Sequence, residues 1–73
     1  MKIGELSKAT GTNIETVRYY ERIGLLPAPD RTAANYRSYG EPHRARLAFV
    51  RHSRELGFTI QEIRSLLDLS DHP

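Results

Sequence analysis

Between Gly11 and Pro27 the chain runs GTNIETVRYYERIGLLP, and this stretch limits the possible folds more than any other. Glycine closes it on one side, and Gly24, Pro27 and Pro29 close it on the other. Whatever helix forms inside is therefore short and buries few side chains on one face. Asn13 is a good N-cap, and Glu15 falls in the first turn, where the helix dipole favours an anion. Ile14 and Val17 are its expected inner face, Gly24 its stop, and Leu25 and Leu26 its anchors at the exit. Ahead of it, Ile3, Leu6 and Ala9 or Thr10 recur at helical spacing in IGELSKAT, with Gly11 as the residue after the helix end. Two short helices across a glycine turn are the outline of a helix-turn-helix.

The rest of the chain supplies what such a pair must lean on. From Asp30 to Gly40 the period shifts to alternation, which predicts a small hairpin. Asn35 supplies the positive φ of its turn. Tyr36 and Ser38 fall on one face, Arg37 and Tyr39 on the other. An isolated hairpin is marginal in water, so one tyrosine is expected to pack on the helices, and Tyr39 is the choice. Pro42 suits the first turn of a third helix reaching about Leu56. Ala45, Phe49, Ser53 and Leu56 are its expected buried face with Val50 beside it, opposite Arg44, Arg51 and Arg54 around Leu47. After Gly57, Thr59 and Glu62 form a capping box. A fourth helix follows, with Ile63, Leu66 and Leu67 inward and fraying from Ser70 onward. The expected fold is mainly α with a small β-hairpin, a winged helix-turn-helix in one domain over 1–73. Its helix-turn-helix spans 3–23, its wing 30–40 and its second helix pair 41–69.

Composition narrows the function classes. A chain of 73 residues without cysteine has neither a disulfide nor a thiolate metal site to supplement a small core. His43, His52 and His72 lack metal-ligand spacing and read as scattered surface residues; no metal or other cofactor is expected. No nucleophile, carboxylate pair or phosphate-cradling loop suggests an enzyme. Nothing approaches the roughly 20 apolar residues of a membrane span, nor the apolar core of a signal peptide. A soluble, cytoplasmic protein with no membrane partner is expected. Net charge is only +2, yet nine of eleven cations are arginine. Arginine makes planar, bidentate contacts with phosphate and guanine. Such a balance suits a domain that places a few contacts well.

Those contacts fall mainly on the second helix. With Ile14 and Val17 inward, Thr16 and Tyr19 turn outward toward base edges. Arg18, Tyr20 and Arg22 flank them toward phosphate, Arg18 also within reach of a guanine. Packing is the competing role for Tyr20. Glu21 lands between Ile14 and Val17, a position that calls for an arginine partner such as Arg37. Arg31, Tyr36 and Arg37 on the hairpin are candidates for the adjacent backbone, and Arg51 on the third helix for a further phosphate.

In order and spacing, IGELSKATG, VRYYERIGLL, NYRSY and LGFTIQEIRSLL resemble the N-terminal DNA-binding domain of the MerR family of bacterial transcription regulators. The likeness covers Ile3 to Leu69. It implies a winged helix whose third and fourth helices form a second wing. It further implies dimeric binding to a palindromic double-stranded promoter with a long spacer, distorted so that RNA polymerase can use it. The recognition positions it implies are Thr16, Arg18, Tyr19, Tyr20, Tyr36 and Arg37. Three residues depart from the family pattern: Asn35 stands where glycine is usual, Gly40 where a serine-type cap is usual, and Ser7 where alanine is usual. Homodimerisation would need the long helix that follows this region in full-length members. The chain is therefore expected to be the DNA-binding part of a longer regulator. A short excisionase-like architectural DNA binder is the alternative, and a winged helix that docks an antagonist protein is a third possibility.

Overall fold

The computed structural model describes residues 1–71. Four helices and one hairpin follow in the expected order. They are α1 (Ile3–Thr10), α2 (Ile14–Arg22), β1 (Asp30–Arg31), β2 (Arg37–Ser38), α3 (Glu41–Glu55) and α4 (Ile60–Asp71).

Local hydrogen bonds explain most of the boundaries. Glu5 Oε1 accepts the Lys2 amide at 3.0 Å to start α1. Gly11 ends α1 in the left-handed region at φ +65°, donating its amide to the Ser7 carbonyl. Asn13 Oδ1 caps α2 by accepting the Glu15 amide at 2.7 Å. The capping box of α4 is complete: the Thr59 amide donates to Glu62 Oε1 at 2.9 Å, and the Glu62 amide donates to Thr59 Oγ1 at 3.1 Å. In the hairpin Asn35 adopts φ +65° and donates to the Thr32 carbonyl at 2.8 Å. The strands pair antiparallel, Asp30 opposite Ser38 and Arg31 opposite Arg37.

Two apolar clusters form the core. The first joins Leu6, Val17, Leu26, Tyr39 and Leu47; the second joins Leu25, Val50, Ile63 and Leu67. Tyr20 packs against both and bridges them. Tyr39 is 2 % exposed, so the hairpin is anchored through that ring, as expected. A backbone bond from the Tyr39 amide to the Met1 carbonyl, 2.8 Å, adds the start of the chain to the same seam.

Four expectations are corrected. In α3 the buried face is His43, Leu47, Val50 and Ser53, whereas Phe49 and Leu56 are 41 % and 65 % exposed. This helix is clamped between α1 and α4, so its inner surface is wider than one amphipathic stripe and turned from the apolar residues counted along it. On α4, Ile63 and Leu67 are buried but Leu66 is 39 % exposed. Ile14, at 36 %, is likewise outside the core. Helical side chains lean toward the N-terminus, and before Ile14 lies only the exposed turn. Lastly, His43 is buried, not a surface residue. Its Nδ1 accepts the Gly40 amide at 3.0 Å, taking the place of the glutamate in a capping box, and its ring meets Tyr39 edge-on at 5.2 Å.

The end of α4 also differs. Ser70 and Asp71 are helical, and Arg46 Nη2 holds both carboxylate oxygens of Asp71 at 3.1 Å. His72 and Pro73, where fraying was expected to finish, lie outside the described residues.

Candidate nucleic-acid interface

Helix α2 presents Arg18, Tyr19 and Arg22 to solvent, while Val17 is fully buried. At about 1.5 Å per residue it is roughly 13 Å long, and at about 10–12 Å across with its side chains it is a rod that a major groove about 12 Å wide admits. Tyr19 is 44 % exposed. The Arg22 guanidinium stands 5.8 Å from its ring centre, and the Tyr20 ring is 5.9 Å away on the inner side. Tyr19 is thus stiffened from two directions without being buried, a geometry suited to contact with a groove wall or a base.

Besides the buried Tyr39 ring, Glu21 links the hairpin to α2. That carboxylate is 16 % exposed, accepts the Tyr39 hydroxyl at 3.0 Å on Oε2, and faces Arg37 Nε at 3.6 Å through Oε1. The arginine partner expected for Glu21 is therefore Arg37. Burial, and then the neighbouring Glu21, push the Tyr39 phenol above its ordinary value, so the hydroxyl stays a donor at neutral pH. Alternation along β2 does the rest: Arg37 and Tyr39 face the helix, and Tyr36 points away, 71 % exposed. At the hairpin tip, Arg31 Nη1 donates to the Asn35 carbonyl at 3.3 Å and the Tyr36 amide donates to Thr32 Oγ1 at 3.2 Å.

Among the described residues, grooves flank α2 on both sides. One, about 460 Å³, is lined by Arg18, Glu21, Arg22, Ala28 and Arg37. A second, about 600 Å³, runs between the hairpin and the start of α1 and includes Lys2, Arg18, Arg31, Tyr36 and Arg37. A third, about 390 Å³, lies on the opposite flank, where Thr16 and Tyr20 face Arg51 and Arg54 of α3. Arg18, Arg22, Arg31, Tyr36 and Arg37 are thereby gathered on one side. Thr16 is half-buried, less outward than the sequence suggested, and Tyr20 gives its ring to the core.

Several arginines already hold partners. Arg51 Nη1 donates to the Thr10 carbonyl at 2.8 Å, closing the end of α1, and its Nε donates to Glu55 at 3.3 Å. Its remaining donors are free for phosphate, its side chain being 54 % exposed. Arg54 Nη1 donates to the Phe58 carbonyl at 3.0 Å, and Arg44 lies 3.9 Å from Glu41. Two residues that sequence reasoning missed are structural. Arg46, 21 % exposed, donates to the Leu25 carbonyl at 3.3 Å besides gripping Asp71, and Arg64 donates to the Ile23 carbonyl. Both therefore serve the backbone where α2 ends.

Comparison with known proteins gives one answer. Residues 1–70 match the sequence profile described as MerR HTH family regulatory protein. The chain is 51 % identical over 71 residues to the HTH-type transcriptional regulator ZntR homolog of Haemophilus influenzae, covering 97 % of this chain and 53 % of that protein. It is 50 % identical over 70 residues to the mercuric resistance operon regulatory protein of Bacillus cereus, covering 96 % and 53 %. Among solved structures, the lead(II) complex of the transcription regulator PbrR691 from Ralstonia metallidurans superposes with a TM-score of 0.91 at 49 % identity. That match covers 100 % of this chain and 57 % of the other. The chain spans about half the length of these relatives. Its capped helix pair, its tyrosine-anchored hairpin and these matches together place it in the MerR family of transcription regulators, as a helix-turn-helix DNA-binding domain and not an enzyme.

Proposed function

We propose that this domain reads a specific site in double-stranded promoter DNA, with α2 in the major groove and the hairpin on the neighbouring backbone. The observation that carries the reading is the convergence of Arg18, Arg22 and Arg37 on one groove beside a solvent-facing Tyr19. Three planar cations there match the geometry of phosphate, and Arg18 has the reach for a guanine edge. Tyr36, Arg31 and, from the far flank, Arg51 extend the contact to further phosphates. Thr16 and Tyr20 line the inner margin.

In a protein about twice this length the domain acts as one half of a dimer on a palindromic promoter in the cytoplasm. Bending or untwisting the DNA costs energy that contacts on both half-sites offset, and RNA polymerase uses the distorted promoter. Among the described residues no helix is long and apolar enough to cross a membrane. Relatives named for mercuric resistance and a lead(II) complex make metal response the class to test first in the longer protein.

The test compares Arg18→Ala with Arg51→Ala on a specific and a random-sequence duplex over a range of salt. Arg18→Ala is expected to cost about 1–3 kcal/mol on the specific site and to relax discrimination. Arg51→Ala is expected to weaken both duplexes alike and to lower the salt slope by about 1. Equal, small effects of the two would overturn the role of Arg18. Wild-type affinity for duplex DNA that does not fall with salt would remove DNA binding altogether and favour docking of a protein.

A further inference from the structure

Arg37 carries a charge that a phosphate would attract, yet it already faces a carboxylate. Glu21 is no solvated side chain that happens to lie nearby. One of its oxygens is fixed by the Tyr39 hydroxyl at 3.0 Å, and that ring is 2 % exposed among Leu6, Val17, Leu26 and Leu47. The core therefore orients Glu21, and Glu21 in turn faces Arg37 at 3.6 Å. Arg37 belongs to a hairpin of two residues per strand, which by itself holds no direction well. Its cross-strand neighbour is Arg31, another cation, which repels it. Among the described residues, Glu21 is the carboxylate that Arg37 faces within ion-pair distance.

A carboxylate at the floor of an arginine groove works against phosphate binding in simple Coulomb terms. Satisfying Tyr39 does not require the charge, because a glutamine carbonyl would accept the same hydroxyl. What the charge adds is the aim of Arg37. Resting on the DNA-binding reading above, we propose that Glu21 is a positioning residue for site recognition. Acting through Arg37, it fixes the hairpin relative to α2 and aims the guanidinium into the groove shared with Arg18 and Arg22. The carboxylate offsets one cation in non-specific binding, and in exchange the hairpin contact keeps register with the helix contact.

The test is a double-mutant cycle of Glu21→Gln and Arg37→Gln in the 73-residue chain. It uses a duplex that the wild type selects from a random pool and a random-sequence duplex as its two probes. For Glu21→Gln the salt slope on the random duplex is expected to steepen by about 0.9, one added phosphate contact. The specific to non-specific ratio is expected to fall about two- to fivefold, the worth of a partly exposed ion pair. Both effects should vanish in the Arg37→Gln background. Tyr39→Phe keeps the charge and removes only the anchor, so it should lower the ratio with the slope unchanged, and this holds as a separate reading if Glu21→Gln folds poorly. Equal changes on both duplexes, the same shift in both backgrounds, or an unaltered ratio in Tyr39→Phe would overturn the role of Glu21. A wild type without salt-dependent affinity would instead bring down DNA binding itself, whereas strong wild-type binding with an additive cycle removes Glu21 alone.

Discussion

Replacing Gly11 by alanine isolates the joint between the two helices of the helix-turn-helix. Gly11 sits at φ +65°, a left-handed conformation that costs an L residue about 1–2 kcal/mol. A Cβ there would stand 2.1 Å from Arg51 Nη1, the atom that donates to the Thr10 carbonyl at 2.8 Å. Being the tip of a flexible side chain that is 54 % exposed, Nη1 swings aside and the backbone stays put. The loss is then one charge-assisted hydrogen bond, about 1 kcal/mol after solvent screening. Gly24 is the internal control: it lies at φ +79°, and an added Cβ meets nothing within 4 Å. Gly24→Ala should therefore cost about 1.5 kcal/mol and Gly11→Ala about 2.5 kcal/mol. For a domain of this size those values correspond to Tm losses of roughly 6–12 °C and 10–20 °C. Thermal and urea unfolding followed by circular dichroism read both. The excess at Gly11 should disappear when both variants are remade in an Arg51→Ala background. Equal losses at the two glycines, or an excess that survives without Arg51, would refute the reasoning.

Two other expectations test the core and the capping box. Leu47→Ala should cost about 2–5 kcal/mol, enough to leave much of so small a domain unfolded, whereas Phe49→Ala should cost less than about 1 kcal/mol. Urea midpoints decide, and a reversed order would return α3 to the face its apolar residues suggest. Glu62 is held below the usual carboxylate range, first by the Thr59 amide and then by the Thr59 hydroxyl. Because its folded value is depressed, the cap is complete above the unfolded value of 4.5 and is lost as pH falls through the lower folded value. An NMR titration of the Glu62 carboxyl should have its midpoint below 4.5, with the Thr59 amide responding in step; a midpoint at or above that value refutes the cap.

Features that depend on near neighbours in sequence were legible there. Asn13 with Glu15, Thr59 with Glu62, and Asn35 in its turn are hydrogen-bonding or backbone choices made within three residues, so residue type and spacing state them. Glu21 and Arg37 were legible for another reason: a carboxylate on an apolar face needs a cation, and the hairpin offered one. Tyr39 followed from the need to anchor a marginal hairpin. What failed were choices that tertiary neighbours make. Leu47 and Phe49 are equally apolar, and only the packing of α1 and α4 on α3 decides which goes in. His43 looked like a surface residue because its partner, the Gly40 amide, gives no signal in side-chain chemistry. Arg46, Arg51 and Arg64 donate to backbone carbonyls 21 to 41 residues away, and every residue has a carbonyl, so no pattern marks the acceptor. The same ambiguity blurs the candidate site, since a cation for phosphate and a cation for a helix end read alike.

The grip of Arg46 and Arg64 on the exit of α2 has a geometric consequence. One attachment between two rods leaves them free to pivot; two attachments at separate points remove the pivot. Arg64 ties an early turn of α4 to the Ile23 carbonyl, and Arg46 ties its last turn, through Asp71, to the Leu25 carbonyl. These points are seven residues apart along α4, roughly 10 Å. Helix α4 is therefore tied at two points to the segment that leaves α2, one on each side of Gly24. Losing either arginine would leave α4 a single arginine tether to the segment that follows the rod carrying Arg18, Tyr19 and Arg22.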